Sequence, residues 1–397
     1  MVATLFSPRE LFQRSGHELE RVVLFGRHGL RSPLVDNAST LGQLTPYPFP
    51  VWEVPPGHLI TKGGQLEVAF GHYLAGLLAD AGLVEKGVCP SPQQLSLYAN
   101  GYQRTLATAQ FFALGAFPGC ELRVDHHGQL GSMDPLFSVA VPSPDQDFIA
   151  ALEASIEAQA GPGGLAAMNE ALAPLYGEMS RVINLAEAQA ALEDLGHMPT
   201  HIKLEYRKAP SVAGPLQVCS SLADTFLAEH YLGTPIEQVG WGRVGDRATL
   251  ARLVTLKDRY LRLKFAASGV VGYSTVLLAA RLHSLLSAPR AARINLMVGH
   301  DSNLTSILTR LQVAEYQLPG QMEITPIGGK LVFAIWRDAH QQRWLSLDYL
   351  YQSVEQIYQG SLLSDANPAQ RYPLQLAPDH RAGELYPLDR VLECLLA

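Results

Sequence analysis

Apolar positions recur along the chain with two different periods. Val22–Gly26 is a short apolar run that stops at Gly26–Gly29 (Gly-Arg-His-Gly), which reads as a buried strand ending in a polar loop. Ser32 and Pro33 end any helix there, and the Pro-, Thr- and Asn-rich segment that follows, to about Pro56, reads as loop. Between Gly64 and Gly82, Leu66, Ala69, Phe70, Tyr73, Leu74, Leu77 and Leu78 recur at helical spacing. Leu95–Ala99 reads as a second strand and Gln103–Leu114 as a helix with Leu106, Ala109 and Ala113 towards a core. From about Asp145 to Leu195, Ala, Leu and Glu dominate, and Gly161–Gly164 breaks the run; two or three helices and no strand fit. Helices are expected at about 220–231, 247–263 and 270–287. Ile294–Val298 reads as a strand, followed by Gly299–Asn303 and a helix to about Leu311. Leu331–Trp336 and Trp344–Tyr351 alternate as two further strands.

Strands at both ends with helices between predict an α/β fold: a mixed central sheet flanked by helices, with an inserted, mostly helical lobe. The expected boundaries are 1–135 and 240–397 for the α/β core and 136–239 for the lobe, which would cover the substrate cleft. A chain of 397 residues is long enough for two such units. Composition narrows the function. Charged residues make up 17% and mean hydropathy is +0.06, which excludes a disordered chain and a multispan membrane protein. The uncharged stretch Phe265–Ala280 contains Ser268, Gly269, Gly272 and Ser274 and is shorter than the roughly 18–20 apolar residues of a membrane span. No membrane insertion is expected. A net charge of −7 argues against a nucleic-acid partner, so a small anion would need a local basic pocket.

Such a pocket is suggested by Arg27-His-Gly-Leu-Arg31-Ser-Pro33 at the end of the first strand. Arg27 and Arg31 can converge on one phosphate, each offering a planar fork of donors. His28 lies between them and can present a ring nitrogen to phosphorus, and Gly29 leaves the approach open. Cation-rich surroundings favour the neutral, nucleophilic imidazole. A second strand end carries His300 and Asp301. Sites in α/β sheets gather at the carboxyl ends of strands, so the two loops can face each other. There His300 can donate to a phosphate oxygen and Asp301 can protonate a leaving oxygen; an N-cap role is the alternative. Asn100–Thr105 brings a third guanidinium, Arg104, after the second strand. No third or fourth ligand accompanies His300 and Asp301 at metal-binding spacing, so no metal and no cofactor are expected. His126 and His127 read as surface loop. Four cysteines, Cys89, Cys120, Cys219 and Cys394, contain no CxxC and permit three fully paired connectivities.

These elements resemble the histidine acid phosphatases, branch 2 of the histidine phosphatase superfamily, whose signature is RHGxRxP near the N-terminus and HD near the C-terminus. Within the family the chain looks most like the bacterial glucose-1-phosphatase and phytase group, and closest to the glucose-1-phosphatases. Trp52–Pro55, Leu59–Gly64, Gly71–Tyr73, Ala107–Phe112, Gly115–Cys120, Met133–Pro135, Gly214–Leu216 and Thr325–Lys330 add to the likeness, which runs from about residue 22 to 353 and is weakest around 145–205. The resemblance implies metal-independent hydrolysis of phosphate monoesters. His28 would form a phosphohistidine, Asp301 would act as the acid, and Arg27, Arg31, Arg104 and His300 would hold the phosphate. The small phosphate-ester partner would be glucose 1-phosphate or a related sugar phosphate.

The resemblance also implies a Cys89–Cys120 disulfide and, with it, an oxidising, periplasmic location. Cys219 and Cys394 have no counterparts in that pattern. Met1–Pro8 shows no basic segment followed by an apolar core, so a signal peptide is not expected within this sequence. One departure concerns specificity: Ala209 stands where the glucose-1-phosphatases carry a sugar-binding acidic residue, next to Lys208. Competing readings are a phytase, a phosphotransferase, or an inactive phosphate-ester binding protein.

Overall fold

A computed structural model of the chain describes residues 8–188, 192, 194–376 and 385–397. The opening segment read for an export signal falls, up to residue 7, outside the described residues. In chain order the elements begin with β1 (His17–Arg27), α1 (Thr61–Asp80), β2 (Leu95–Ala99) and α2 (Gln103–Ala116). A largely helical stretch follows: α3 (Gln146–Gln159), α4 (Gly164–Val182), β3 (His201–Lys203), β4 (Ser211–Ala213), α5 (Pro215–Tyr231), α6 (Arg247–Phe265) and α7 (Ser268–Ser274). The chain then continues through α8 (Val276–Ser287), β5 (Ile294–Gly299), α9 (Asp301–Arg310), β6 (Lys330–Asp338), β7 (Arg343–Tyr351), α10 (Val354–Gln359), β8 (Gln370–Pro373), β9 (Tyr386–Pro387) and α11 (Leu388–Leu396).

The α/β unit comprises 1–30, 61–138 and 275–397. Its sheet has the order β2-β5-β1-β6-β7-β8, with β9 also on β7. β2, β5 and β1 run parallel, and β6 starts the antiparallel half, so the sheet is mixed, as the sequence pattern predicted. β1 is apolar at successive positions because both its faces are covered. Val22 and Leu24 enter one core with Phe70, Leu74 and Phe112, while Val23 and Phe25 enter the other with Leu282, Leu304 and Phe333. α1 and α2 pack almost backbone to backbone: a Cβ on Gly71 would stand 2.1 Å from the Phe112 carbonyl oxygen, and one on Gly115 would stand 2.0 Å from that of Val68. Cys89 and Cys120 are joined as a disulfide across this β2–α2 region, as the resemblance implied.

The second unit comprises 31–60 and 139–274. Against the expected 136–239 lobe, it starts three residues later, runs on to 274 and adds the separate segment 31–60. Residues 240–274, expected in the core unit, join it because α6 lays Leu250, Leu253, Val254 and Leu256 inward and packs along α5, itself buried on most faces. Residues 31–60 join it partly through Trp241, whose ring sits 5.4 Å from that of Tyr47 and 5.1 Å from that of Phe49. β3 and β4 form a two-stranded sheet within it. The single helix expected over 270–287 is two, α7 and α8, broken at Thr275, where Gly272, Ser274 and Thr275 weaken helix propensity. Among the described residues no single helix is long and apolar enough to cross a membrane.

Candidate active site

Within the α/β unit the three parallel strands end side by side. β1 delivers Arg27 and His28, β5 delivers His300 and Asp301, and β2 delivers Asn100, followed by Arg104 in the first turn of α2. The carboxyl ends of neighbouring parallel strands are where an α/β sheet can bring side chains from distant segments together. His28 is fixed by its main chain: its N–H donates to the Gly299 carbonyl at 3.1 Å, and its carbonyl accepts from the Gly328 N–H at 3.0 Å. The next peptide, Gly29 N–H, donates to Thr108 Oγ1 at 2.9 Å.

The His28 side chain is 3% exposed, and its Nδ1 lies 2.9 Å from the Gly29 carbonyl oxygen. A carbonyl only accepts, so Nδ1 carries the proton and the lone pair of the neutral ring resides on Nε2. The His300 ring stands 5.6 Å away, centroid to centroid, near edge-on. Its Nε2 is 2.6 Å from Asn100 Nδ2. Asn100 Oδ1 accepts from the Gly101 and Asp134 N–H groups, both at 2.8 Å, which orients the amide so that nitrogen faces His300. Asn303 Oδ1 accepts the His300 N–H at 3.1 Å and its Nδ2 reaches the Phe137 carbonyl at 2.9 Å. The N-cap alternative therefore belongs to His300, which caps α9. Asp301 is the first residue of that helix, with Oδ1 accepting the Ser302 N–H at 2.8 Å.

Arg27 is 1% exposed and spans two carboxylates. Nη2 lies 3.2 Å from Asp301 Oδ2, and Nη1 donates to Glu323 Oε1 and to the Thr325 carbonyl, both at 2.7 Å. Tyr349, fully buried, senses the charges of Arg27, Glu323 and Asp301; burial holds its hydroxyl well above the ordinary range, so it stays protonated. The Arg104 guanidinium stacks over the Tyr102 ring at 4.9 Å, and Tyr102 meets the His300 ring at 5.9 Å.

Five of the six expected site residues, Arg27, His28, Arg104, His300 and Asp301, thus belong to the α/β unit. Arg31 belongs to the second unit. There its Nη2 pairs with Asp224 Oδ2 at 3.0 Å, and Lys257 Nζ takes Asp224 Oδ1 at 2.9 Å. Glu323 and Asn100 were not singled out by their chemistry. Glu323 has no local signal, while Asn100 could have been found as the first polar residue after a buried strand. Lys208 pairs with Glu205 on the surface, and Ala209 is exposed. His126 and His127 are exposed as expected. Among the described residues no three His, Cys, Asp or Glu side chains cluster as metal ligands would.

Comparison with known proteins agrees with this geometry. The family model "Histidine phosphatase superfamily (branch 2)" matches residues 18–159. A glucose-1-phosphatase of Salmonella typhimurium is 38% identical over 91% of this chain and 87% of its own. One of Providencia rettgeri is 33% identical over 90% and 86%. Among solved structures, the apo phytase of Hafnia alvei superposes with a TM-score of 0.88 at 26% identity, covering 96% of this chain and 97% of that one. The mixed sheet, the paired strand-end loops and these relatives place the chain in branch 2 of the histidine phosphatase superfamily, as a phosphate-ester hydrolase of the histidine acid phosphatase kind.

Proposed function

We propose that the protein hydrolyses phosphate monoesters through a phosphohistidine on His28, with glucose 1-phosphate or a related sugar phosphate as substrate. The observation that carries the mechanism is the Nδ1 contact of His28 to the Gly29 carbonyl, which leaves Nε2 with a lone pair on a rigid main chain. Nε2 attacks phosphorus, the ester P–O bond breaks, and the departing alkoxide takes a proton from the Asp301 carboxyl. Water then attacks the phosphohistidine and gives its proton to the Asp301 carboxylate. The P–N bond breaks, and orthophosphate leaves with His28 neutral again.

Arg27, Arg31 and Arg104 stabilise the charge on the transferring group, the part a divalent cation plays in other phosphoryl transfers. His300 joins them as a donor once Nε2 carries a proton, which requires the Asn100 amide beside it to turn aside. The sugar-phosphate preference rests on the two glucose-1-phosphatase relatives. The phytase likeness in fold keeps inositol hexakisphosphate as the second reading. Ala209 cannot accept a hydrogen bond from a sugar hydroxyl, so sugar selectivity would rest on other residues. A periplasmic location is proposed from the disulfide.

The test is acid-quench trapping with labelled substrate, alongside steady-state rates on a panel of sugar phosphates and phytate. Label on His28 is expected in the native enzyme, and His28→Ala is expected to lose both label and turnover while staying folded. Turnover is expected to survive EDTA. Label retained after His28→Ala would overturn the assignment, and faster turnover of phytate than of any sugar phosphate would overturn the substrate reading.

A further inference from the structure

Behind the His28 loop lies a buried ion pair that the chemistry above does not use. Lys330, the first residue of β6, is 0% exposed and Glu67 of α1 is 1% exposed, and Nζ lies 3.1 Å from Oε2. Nζ also donates to the Gly328 carbonyl at 2.6 Å and stands 3.9 Å from the centroid of the Phe70 ring. Burial pulls the lysine down and pushes the glutamate up from their ordinary values, and each partner opposes the shift of the other. Two buried charges cost desolvation that a pair of apolar residues of similar volume would avoid, so packing alone gives no reason for them.

Their position supplies one. Gly328, at φ +64°, gives its N–H to the His28 carbonyl, and Gly329 accepts the Arg27 N–H at 3.0 Å. A Cβ on Gly328 would stand 2.5 Å from Glu67 Oε1, so the pair and the left-handed turn fit only around glycine. The segment 328–330 therefore holds Arg27 and His28 through main-chain bonds on one side. On the other it is gripped by an ammonium that Glu67 and Phe70 keep in place.

We propose that Lys330 and Glu67 are positioning residues for the nucleophile: Lys330 clamps the Gly328 carbonyl, Glu67 orients Lys330, and the clamp sets the place of His28 Nε2. This rests on the phosphohistidine reading. Phosphoryl transfer is sensitive to misplacement, and a shift of about 1 Å costs up to roughly 10²-fold in rate.

The decisive variant is the double Glu67→Leu/Lys330→Met. It replaces the pair by apolar side chains that can pack on Phe70 and Phe112, while removing the clamp. Single-turnover phosphorylation of His28 by a sugar phosphate is expected to slow roughly 10- to 100-fold. Inhibition by orthophosphate, set by the guanidiniums, is expected to stay within about threefold, since the variant alters no phosphate-binding side chain and the Arg27 guanidinium stays anchored by Glu323 and Thr325. A folded double variant that phosphorylates at the native rate would overturn the proposal, as would equal losses in phosphorylation and orthophosphate affinity. Should the double variant not fold, Glu67→Gln, which keeps the shape and loosens Nζ, is read in the same way: slowed phosphorylation with unchanged orthophosphate inhibition supports the clamp, and a native rate overturns it. Absence of phosphohistidine in the unaltered enzyme would instead sink the underlying mechanism, so the two failures are distinct.

Discussion

The two units treat charge differently, and the two arginines of the RHGxRxP motif show how. In the α/β unit, Glu323, Glu67 and Asp348 are buried, and each faces a cation: Arg27, Lys330 and Arg371. In the second unit, Arg31 is 14% exposed and shares the partly open Asp224 with Lys257, while Glu229 is buried with a peptide N–H, that of Gly240, at 2.9 Å. Charges locked in fully buried pairs fix geometry at the cost of desolvation, whereas a shared, partly buried anion leaves each cation with a second neighbour. Arg27 is thus held by the fully buried Glu323, and Arg31 by the partly buried Asp224 that it shares with Lys257.

The largest expected effects test that contrast. Arg27→Ala and Arg31→Ala should each lower kcat/KM by about 10²–10³, the usual loss for one donor to developing charge. Only Arg27→Ala should also cost stability, about 3–5 kcal/mol, because it leaves Glu323 buried without its cation. Arg31→Ala should cost less, because Lys257 stays on Asp224 as its cation. Denaturant titrations of the two variants decide this, and equal stability losses would break the distinction. A smaller effect is expected from Asp224→Asn. It keeps the shape but frees Arg31 and Lys257 from their shared anion, so the rate should fall by less than roughly 10-fold, with tighter binding of orthophosphate. Weaker binding would show that Asp224 orients Arg31 more than it competes with the ligand.

A separate effect concerns pH. Burial pushes the Glu229 carboxyl up to about 7, against 4.5 ordinarily. Below about 4.5 the group is protonated in both folded and unfolded chains, so it contributes no difference there. Between 4.5 and about 7 the folded chain holds the proton that the unfolded chain has lost, so stability falls as pH rises, by up to about 3 kcal/mol, and levels off above. Glu229→Gln keeps an acceptor for the Gly240 N–H and should abolish this slope. Melting temperatures are expected to be nearly equal to those of the unaltered protein at pH 4.5 and higher at pH 8. An unchanged difference across that range would remove Glu229 from the account.

Local patterns carried much of this structure. β2 was legible at both ends, β5 to within one residue, and β1 only in its C-terminal half, Val22–Gly26 of His17–Arg27. The ends of the β1 and β5 runs also marked Arg27, His28, His300 and Asp301 as candidates. What escaped was whatever depends on pairing across the chain. Glu323 gives no local sign of standing under Arg27, and neither Glu67, on an amphipathic helix, nor Lys330, at a strand start, predicts the other. β8 and β9 are short edge strands without a period to read. The unit boundary was misplaced because α6 reads as an ordinary amphipathic helix, and its pattern does not say which partner its apolar face will meet.

The insertion also orders events in time. Asn100 meets His300 across 200 residues of chain, and Arg27 meets Glu323 across 296. The parallel heart of the sheet needs β5, which follows the whole helical stretch, and Arg27 needs residues later still. As the chain emerges from its N-terminus, the segment 139–274 comes out as one continuous piece and can condense before β5, while β1 and β2 wait without the strand that separates them. The pairing of β1 with β5, and of Arg27 with Glu323, therefore comes late, after most of the chain is available. Contacts of such long sequence separation fold slowly, so the apolar strand Val22–Phe25 waits long for its β5 partner.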